Sequence, residues 1–275
     1  MATLYVVGTP IGNLEDLSPR ARRVLAEVGA ILAEDTRVTR KLLSHAGIHT
    51  ALLSCHDHSS PERIRALVDR LDTTDLALVS DAGTPGVSDP GARLVAEARA
   101  RGHRVLALPG PSAVTAALSI SGLPADAYVF LGFLPRRRAD RRALLADLAT
   151  ERRTLVAFEA PHRLRAALAD LAQAFGGERQ VLVARELSKL HEEAWSGCLE
   201  AAAAEWALRE PRGELTLVLA GAPDAPREPW DDARARQALR ALRAAGVGAR
   251  EASRRLAEEA GRPARELYQL WDHEA

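Results

Sequence analysis

Lysine is almost missing from this 275-residue chain: Lys41 and Lys189 stand alone, and arginine supplies the remainder of the 37 basic residues. The acidic residues also number 37, so whole-chain charge points to no particular partner. Arginine suits phosphate recognition because its planar fork donates in pairs. Genome base composition accounts for the bulk preference, since alanine is abundant as well. Cysteine is equally scarce. Cys55 and Cys198 lie far apart and match no zinc or redox spacing, which fits a reducing cytoplasm. No apolar run approaches membrane-spanning length. The first residues, Met-Ala-Thr-Leu-Tyr-Val-Val-Gly, run straight into a strand pattern, without a basic start followed by a cleavable apolar stretch. The expectation is a soluble cytosolic protein.

With 47% hydrophobic residues, the chain has material for substantial cores, and its length suits two domains. Apolar runs alternate with helical patterns. Strands are expected at 3–7, 30–33, 76–79 and 105–108. Helices are expected at 19–28, 38–46, from Pro61, at 90–100 and at 111–120, with Ser18-Pro19 and Ser60-Pro61 as helix starts. That alternation predicts a mostly parallel sheet covered on both faces. Gly122-Leu123-Pro124 marks a joint. A second α/β series follows, with strands at 128–131, 154–158, 180–184 and 214–219, and helices near 141–149, after Pro161 and at 200–208. The segment 221–229 holds three prolines and reads as a linker. Helices at 231–245, 249–260 and 263–271 complete the chain. The last pair, joined by Gly261-Arg262, has the proportions of a helix-turn-helix, either a nucleic-acid-binding element or a simple packing unit. The expected class is α/β: an N-terminal α/β domain over 1–122, a C-terminal α/β domain over 123–222, and a helical tail over 230–275.

Three turns stand out because each follows an apolar strand and is rich in Gly and Pro: 8–13 (G-T-P-I-G-N), 81–91, and 109–113 (P-G-P-S-A). In an open parallel sheet, ligands bind outside the carboxyl ends of the strands. Glycine admits close backbone approach and proline fixes a turn without a flexible side chain. None of these turns matches G-x-x-x-x-G-K-[ST] or G-x-G-x-x-G, so phosphate-loop and dinucleotide readings lose ground. One such turn needs no ligand to explain it. Three favour a site.

The motifs form an ordered series: L-Y-V-V-G-T-P-I-G-N-L-E-D-L from Leu4, A-E-D-T-R from Ala33, S-D-A-G-T-P-G-V-S-D-P-G from Ser80 and L-P-G-P-S-A from Leu108. F-L-G-F-L-P-R from Phe130, F-E-A-P-H-R-L from Phe158 and A-R-E-L-S-K from Ala184 follow. The series resembles the tetrapyrrole-methylase-fold family, and within it the ribosomal RNA small-subunit methyltransferase branch. The match runs from about Leu4 to Gly221, and the tail resembles that branch's helix-turn-helix extension. The resemblance implies two α/β domains with a cofactor cleft between them, a homodimer, and S-adenosyl-L-methionine as cofactor. It also implies methyl transfer to the ribose 2′-oxygen of a cytidine in 16S rRNA of the small ribosomal subunit. Pro10, Ala82, Gly83, Thr84, Val87, Ser112 and Ala113 would then contact the cofactor from the first domain, and Phe158, Glu159, Arg185 and Glu186 from the second. Tetrapyrrole enzymes carry Gly-Asp-Pro at the central turn. Gly83-Thr84-Pro85 departs from this and favours the ribosomal branch.

A ribose hydroxyl is a very weak acid, so a base or a stabilising cation should help as the methyl arrives. Asp81, Glu159 and Glu186 are candidate bases, with Lys189, Arg185 and His162 as stabilisers. Duller roles are open to each: Glu159 facing helix amides, Glu186 and Arg185 forming a structural ion pair. Asn13, Arg37, Arg136, Arg137, Arg138 and His162 are candidate substrate contacts, with Arg37 either holding a phosphate or pairing with Glu34. Between 136 and 153, seven arginines face three acids, either a phosphate-contact surface or a solvated charge run. Cys55-His56-Asp57-His58 tempts a metal reading, but adjacent loop residues rarely converge on one ion without further ligands. His56 and His58 are instead candidate RNA contacts. Two other functions compete: methylation of a corrin or porphyrin precursor, and a non-catalytic RNA-binding assembly factor.

Overall fold

The structure is a computed structural model that describes residues 2–223 and 229–272. Met1–Ala222 form one compact unit and Pro223–Ala275 a second. The proline-rich linker expected at 221–229 falls mostly outside the described residues.

The first sheet is built from β1 (Thr3–Val7), β2 (Ala30–Ala33), β3 (Leu52–Ser54), β4 (Leu76–Val79) and β5 (Arg104–Leu108), in the order β3-β2-β4-β1-β5. All its pairings are parallel. β2 and β4 are buried along their whole length, as central parallel strands covered on both faces must be. Helices α1 (Pro19–Glu27) and α2 (Thr36–Ala46) cover one face, where Val24, Leu25 and Leu43 meet Ile31 and Val79. Helices α3 (Pro61–Asp69) and α4 (Ala92–Ala100) cover the other, where Ile64, Leu67 and Leu94 meet Leu4, Leu32 and Leu78. Ser18 and Ser60 cap α1 and α3 by accepting from Ala21 N–H and Arg63 N–H, with proline at the first helical position in both. β3, half-exposed and three residues long, was not anticipated. An edge strand that short leaves no alternation to read.

Helix α5 (Ala113–Ser121) ends at Gly122, whose φ of 67° is left-handed. The second sheet follows: β6 (Tyr128–Phe133), β7 (Thr154–Glu159), β8 (Gln180–Arg185), β9 (Glu193–Cys198) and β10 (Leu215–Leu219), in the order β6-β7-β10-β8-β9. Only β6 and β7 pair in parallel; β10 runs antiparallel to both β7 and β8, and β9 antiparallel to β8. The second α/β series is therefore a mixed sheet. Periodicity marks a strand but not its direction, and β9 (E-A-W-S-G-C) is too polar and glycine-broken to stand out. Helices α6 (Arg138–Asp147), α7 (Leu164–Phe175) and α8 (Leu199–Leu208) cover one face around the fully buried Trp206. The opposite face receives α5, whose Val114, Ala117 and Leu118 pack on Val156, Leu182 and Val218. One helix thus joins the two sheets.

In the second unit, α9 (Asp232–Ala244), α10 (Ala249–Ala260) and α11 (Ala264–Asp272) enclose a small core of Ala235, Leu239, Ala252, Leu256, Leu267 and Leu270. No described helix is long and apolar enough to cross a membrane.

The carboxyl ends of β4, β1 and β5 lie side by side, and their turns are tied together through the backbone. Thr9 and Gly83 exchange two main-chain hydrogen bonds of 2.8 and 3.1 Å, and Gly8 N–H donates to Leu108 O at 3.0 Å. The Thr9 hydroxyl adds bonds to Ser80 O and Gly83 O. Gly8 and Gly110 approach so closely that a Cβ on Gly110 would lie 2.7 Å from the Gly8 oxygen. Backbone cannot swing aside as a side-chain tip can. Gly110→Ala is expected to cost about 1–3 kcal/mol, as forced overpacking does, read as a lower urea midpoint at unchanged m-value; a wild-type midpoint would show that the two turns separate freely.

Candidate functional site

A cavity of about 450 Å³ opens at these three turns, within the range of small-molecule sites. From the first sheet it is lined by Ile11, Glu34, residues Asp81–Thr84, Val87–Asp89 and the start of α5 at Ser112, Ala113 and Val114. From the second sheet come Phe133, the end of β7 from Phe158 to Pro161, Leu187, and Gly213–Thr216 leading into β10. Besides the packing of α5 and Ile11 on the second sheet, two contacts cross between the walls. Asn13 N–H donates to the Ser188 hydroxyl at 3.3 Å, and Gly132 (φ 63°) lies against Ser88.

The floor is apolar and aromatic. Phe158 is flanked by Phe130 and Phe133, with ring centroids 5.0 and 5.5 Å away in edge-on geometry. Phe133 stays 57% exposed, a costly position for a phenyl ring unless a ligand covers it. One rim is acidic. Glu34 directly follows β2 and Asp81 lies two residues beyond β4, an adjacent strand, so parallel pairing delivers two carboxylates to one edge. Burial, then repulsion by Asp81, Asp89, Asp57 and Asp35, raises the Glu34 carboxyl to about 7. Burial chiefly, aided by Asp81 and Asp57 and opposed by a bond from Ser80, raises Asp89 to about 6. Among the described residues, no lysine or arginine lines the cavity. At the far side, no side chain caps the first turn of α5, so its leading amides are available to an anion. Such a cavity suits a ligand with a flat apolar part, a positive charge and a carboxylate, and repels polyphosphates.

Of the residues anticipated from sequence, Asp81, Ala82, Gly83, Thr84, Val87, Ser112, Ala113, Phe158 and Glu159 line the cavity. Pro10 is buried behind the turn and does not line it. Glu159 is 1% exposed, accepts from Ala160 N–H at 2.7 Å and pairs with Arg163, while its second oxygen has no partner among the described residues.

Glu186 and Lys189 stand one step back. The Glu186 carboxylate accepts from Lys189 Nζ and from Glu214 N–H, both at 2.9 Å, and Lys189 also reaches Glu214 at 3.2 Å. Burial opposes ionisation of Glu186, but the Glu214 amide and Lys189 outweigh it and hold the carboxyl below its ordinary range, the wrong direction for a base. Arg185 pairs with Glu193 at 3.0 Å rather than with Glu186, and does not line the cavity. Asn13, Arg37 and His162 are exposed outside it. Arg37 pairs at 2.6 Å with Asp35, not Glu34, and Asp35 also caps α2 through Arg37 N–H.

The arginine run changes most. Arg141 is buried and binds Asp170 at 2.6 Å, and Arg142 and Arg138 meet the same carboxylate at 2.8 and 3.3 Å. Burial works against the Asp170 charge, but the three guanidiniums prevail and keep its carboxyl low. Arg137 faces Asp140 at 3.8 Å and Arg153 pairs with Glu151. Three of the seven arginines therefore form a structural clasp between α6 and α7, and two more pair locally. Arg136 is exposed outside the cavity. Ser88 and Asp89 line the site from within the 81–91 turn, while Glu34, Phe133, Leu187 and the 213–216 segment line it without standing among the candidate site residues. For Glu34, position at a strand end within A-E-D-T-R was the available signal. For 213–216 there was none, because only the antiparallel insertion of β10 brings it there.

Asp170→Asn leaves a buried Arg141 without its charge partner, and a loss of about 3–5 kcal/mol in chemical unfolding is expected; a loss below 1 kcal/mol would mean that the clasp carries no weight. The rim carboxyls give a pH signature. Their folded pKa values lie above the ordinary 4.5 and 3.8, so stability declines as pH rises from about 4 through about 7. Glu34→Gln should raise the melting temperature at pH 8 and leave it unchanged at pH 4. An equal shift at both values would show that ionisation of Glu34 is not the cause.

Residues 3–203 match the family described as Tetrapyrrole (Corrin/Porphyrin) Methylases. The chain is 48% identical to ribosomal RNA small subunit methyltransferase I of Synechocystis sp., over 98% of this chain and 97% of that one. It is 50% identical to the protein of the same name from Pseudomonas aeruginosa, over 80% of this chain and 79% of the other. Among solved structures, uroporphyrin-III-C-methyltransferase from Thermus thermophilus shares the fold, with a TM-score of 0.56 at 21% identity over 79% of this chain and 94% of that one. With a matching family model over most of its length and full-length relatives at this identity, the chain belongs to the tetrapyrrole methylase family, in the group of the ribosomal RNA small subunit methyltransferase I proteins.

Proposed function

We propose that this protein methylates the ribose 2′-oxygen of a cytidine in 16S rRNA of the small ribosomal subunit, in the cytoplasm, with S-adenosyl-L-methionine as donor. The observation that carries the cofactor is the cavity itself: apolar and aromatic on its floor, acidic at one rim, lined by no basic side chain among the described residues, and bounded by an uncapped helix start. These features fit a cation with an adenosyl group and an amino-acid end. Phe133, Phe158, Ile11 and Leu187 would flank the flat part, the amides of Ala113 and Val114 the carboxylate, and Glu34, Asp81 and Asp89 the positive charge. When bound, the cofactor supplies an activated methyl group. The relatives' shared name supports ribosomal RNA as the substrate class. The cytidine and the 2′-oxygen rest on the motif resemblance, including Gly83-Thr84-Pro85 at the central turn.

The protein's own task is alignment, which in favourable cases contributes roughly 7–11 kcal/mol to rate acceleration. The locked turns fix the cavity before the substrate arrives. A base works best with a pKa near the ambient pH. Glu34 and Asp89 meet that condition only while the cavity is empty, because a positive charge beside them favours their ionised form, so they act as counter-charges to the donor rather than as the base. Glu159, walled in by Arg163 and the Ala160 amide, is better placed to hold a ligand donor with its free oxygen. Homodimer formation, implied by the resemblance, is supported by Ile120 and Tyr128, exposed apolar residues on α5 and the edge strand β6.

Purified protein incubated with S-adenosylmethionine tritiated at the methyl group is expected to label 30S subunits at an alkali-stable ribose position, and to sediment at twice the chain mass. Free 16S rRNA and a precorrin serve as the competing substrates. Label in the precorrin alone, or cofactor binding with no label in any substrate, would overturn the RNA methyltransferase reading.

A further inference from the structure

The second unit carries a concavity that plays no part in the chemistry above. It measures about 250 Å³, lies between α10 and α11, and is lined by Arg250, Ser253, Arg254, Ala264, Arg265 and Tyr268. Arg250 and Arg254 are one helical turn apart on α10, and Arg265 and Tyr268 are three residues apart on α11, so each pair shares a face. All four are exposed. The Ser253 hydroxyl turns back to Ala249 O at 2.8 Å and leaves the notch to the longer side chains.

The state of these arginines sets them apart. Arg255 pairs with Glu251 at 2.8 Å, and Arg262 with Asp232 at 2.6 Å and Glu266 at 3.3 Å. The side chains of Arg250, Arg254 and Arg265 make no ion pair or hydrogen bond among the described residues. Glu251, the acid nearest Arg254 in sequence, is already engaged by Arg255. Three guanidiniums around one hollow, only Arg254 of them under the influence of a nearby acid (Glu251, itself bonded to Arg255), form with a phenol ring at the edge a local positive site on a chain with no net charge. Arginine forks match phosphate oxygens, and an exposed aromatic ring offers a stacking face to an unpaired base.

We propose that this notch binds the sugar–phosphate backbone of single-stranded RNA, with Arg250, Arg254 and Arg265 on phosphates and Tyr268 stacked on a base. The choice of RNA over DNA rests on the functional reading above; the phosphate site itself does not. It also replaces the 136–153 run as the phosphate surface, since that run is largely spent on Asp170, Asp140 and Glu151.

The test uses the full chain and a labelled single-stranded RNA oligonucleotide, with affinity measured by fluorescence anisotropy across a salt series. Each phosphate contact contributes about 0.7 to the logarithmic salt slope on single strands, so Arg250→Gln, Arg254→Gln and Arg265→Gln together should reduce it by about 2. Affinity at about 0.1 M salt should fall about tenfold or more. The corresponding triple lysine variant should restore most of the slope, and Tyr268→Ala should weaken binding about fivefold without changing it. Unchanged affinity and slope in the glutamine and alanine variants would overturn the proposal. Duplex DNA bound as tightly, with the same dependence on these residues, would overturn the assignment to RNA. Binding is read without catalysis, so a failure of the methyl-transfer assay falls on the functional reading and leaves this one decided by its own data.

Discussion

The close approach of Gly8 to Gly110, together with the two-bond bridge between Thr9 and Gly83, is the constraint on which the rest of the molecule depends. It fastens three strand ends into one rigid lip. Without it, the turn after β4, with left-handed Gly83, Gly86, Ser88 and Gly91, would be a floppy excursion. With it, that turn becomes a wall. The start of α5 is placed by the same lock, because Pro111 and Ser112 follow directly on Gly110. Since α5 then packs against the second sheet, the geometry of the lip passes into the opposite wall through one helix.

The second wall is assembled by different means. Side chains and irregular backbone do the work that glycines do in the first. Glu186 and Ser188 adopt left-handed φ values of 52° and 62°, costly for residues with a Cβ, and the compensation is visible. Glu186 takes bonds from Lys189 and the Glu214 amide, and Ser188 N–H donates to Glu192 at 2.6 Å. One of the two lysines in the chain is thus consumed in holding a loop. Gly213 is required beside it, because a Cβ there would run into Glu186.

Much of this architecture was legible in the sequence for a simple reason: the first sheet obeys local rules. Buried runs such as Leu76–Val79, the Ser-Pro helix starts and the Gly/Pro turns each encode their own structure. Accordingly Asp81 to Thr84, Ser112, Ala113 and Phe158 reached the cavity from motif reading. What escaped depends on partners distant in sequence. Strand β10 enters antiparallel between β7 and β8, and so delivers 213–216 to the site. The arginine cluster looked like a phosphate surface because nothing local reveals Asp170, 28 residues beyond Arg142. Glu186 looked like a base because its lysine partner is a matter of loop geometry, not of composition.

Under the proposed reading, the acidic rim also bears on turnover. Carboxyl groups that repel one another gain most from a visitor carrying positive charge, and Glu34 and Asp89 stay partly protonated when none is present. Methyl transfer removes the sulfonium charge from the ligand while the rim stays as it was. The grip on the spent molecule is then weaker than the grip on the fresh one. Burial and mutual repulsion of these carboxyls, an expense to the folded protein, thereby act as an exchange bias: the cavity draws in charged donor and lets go of what remains.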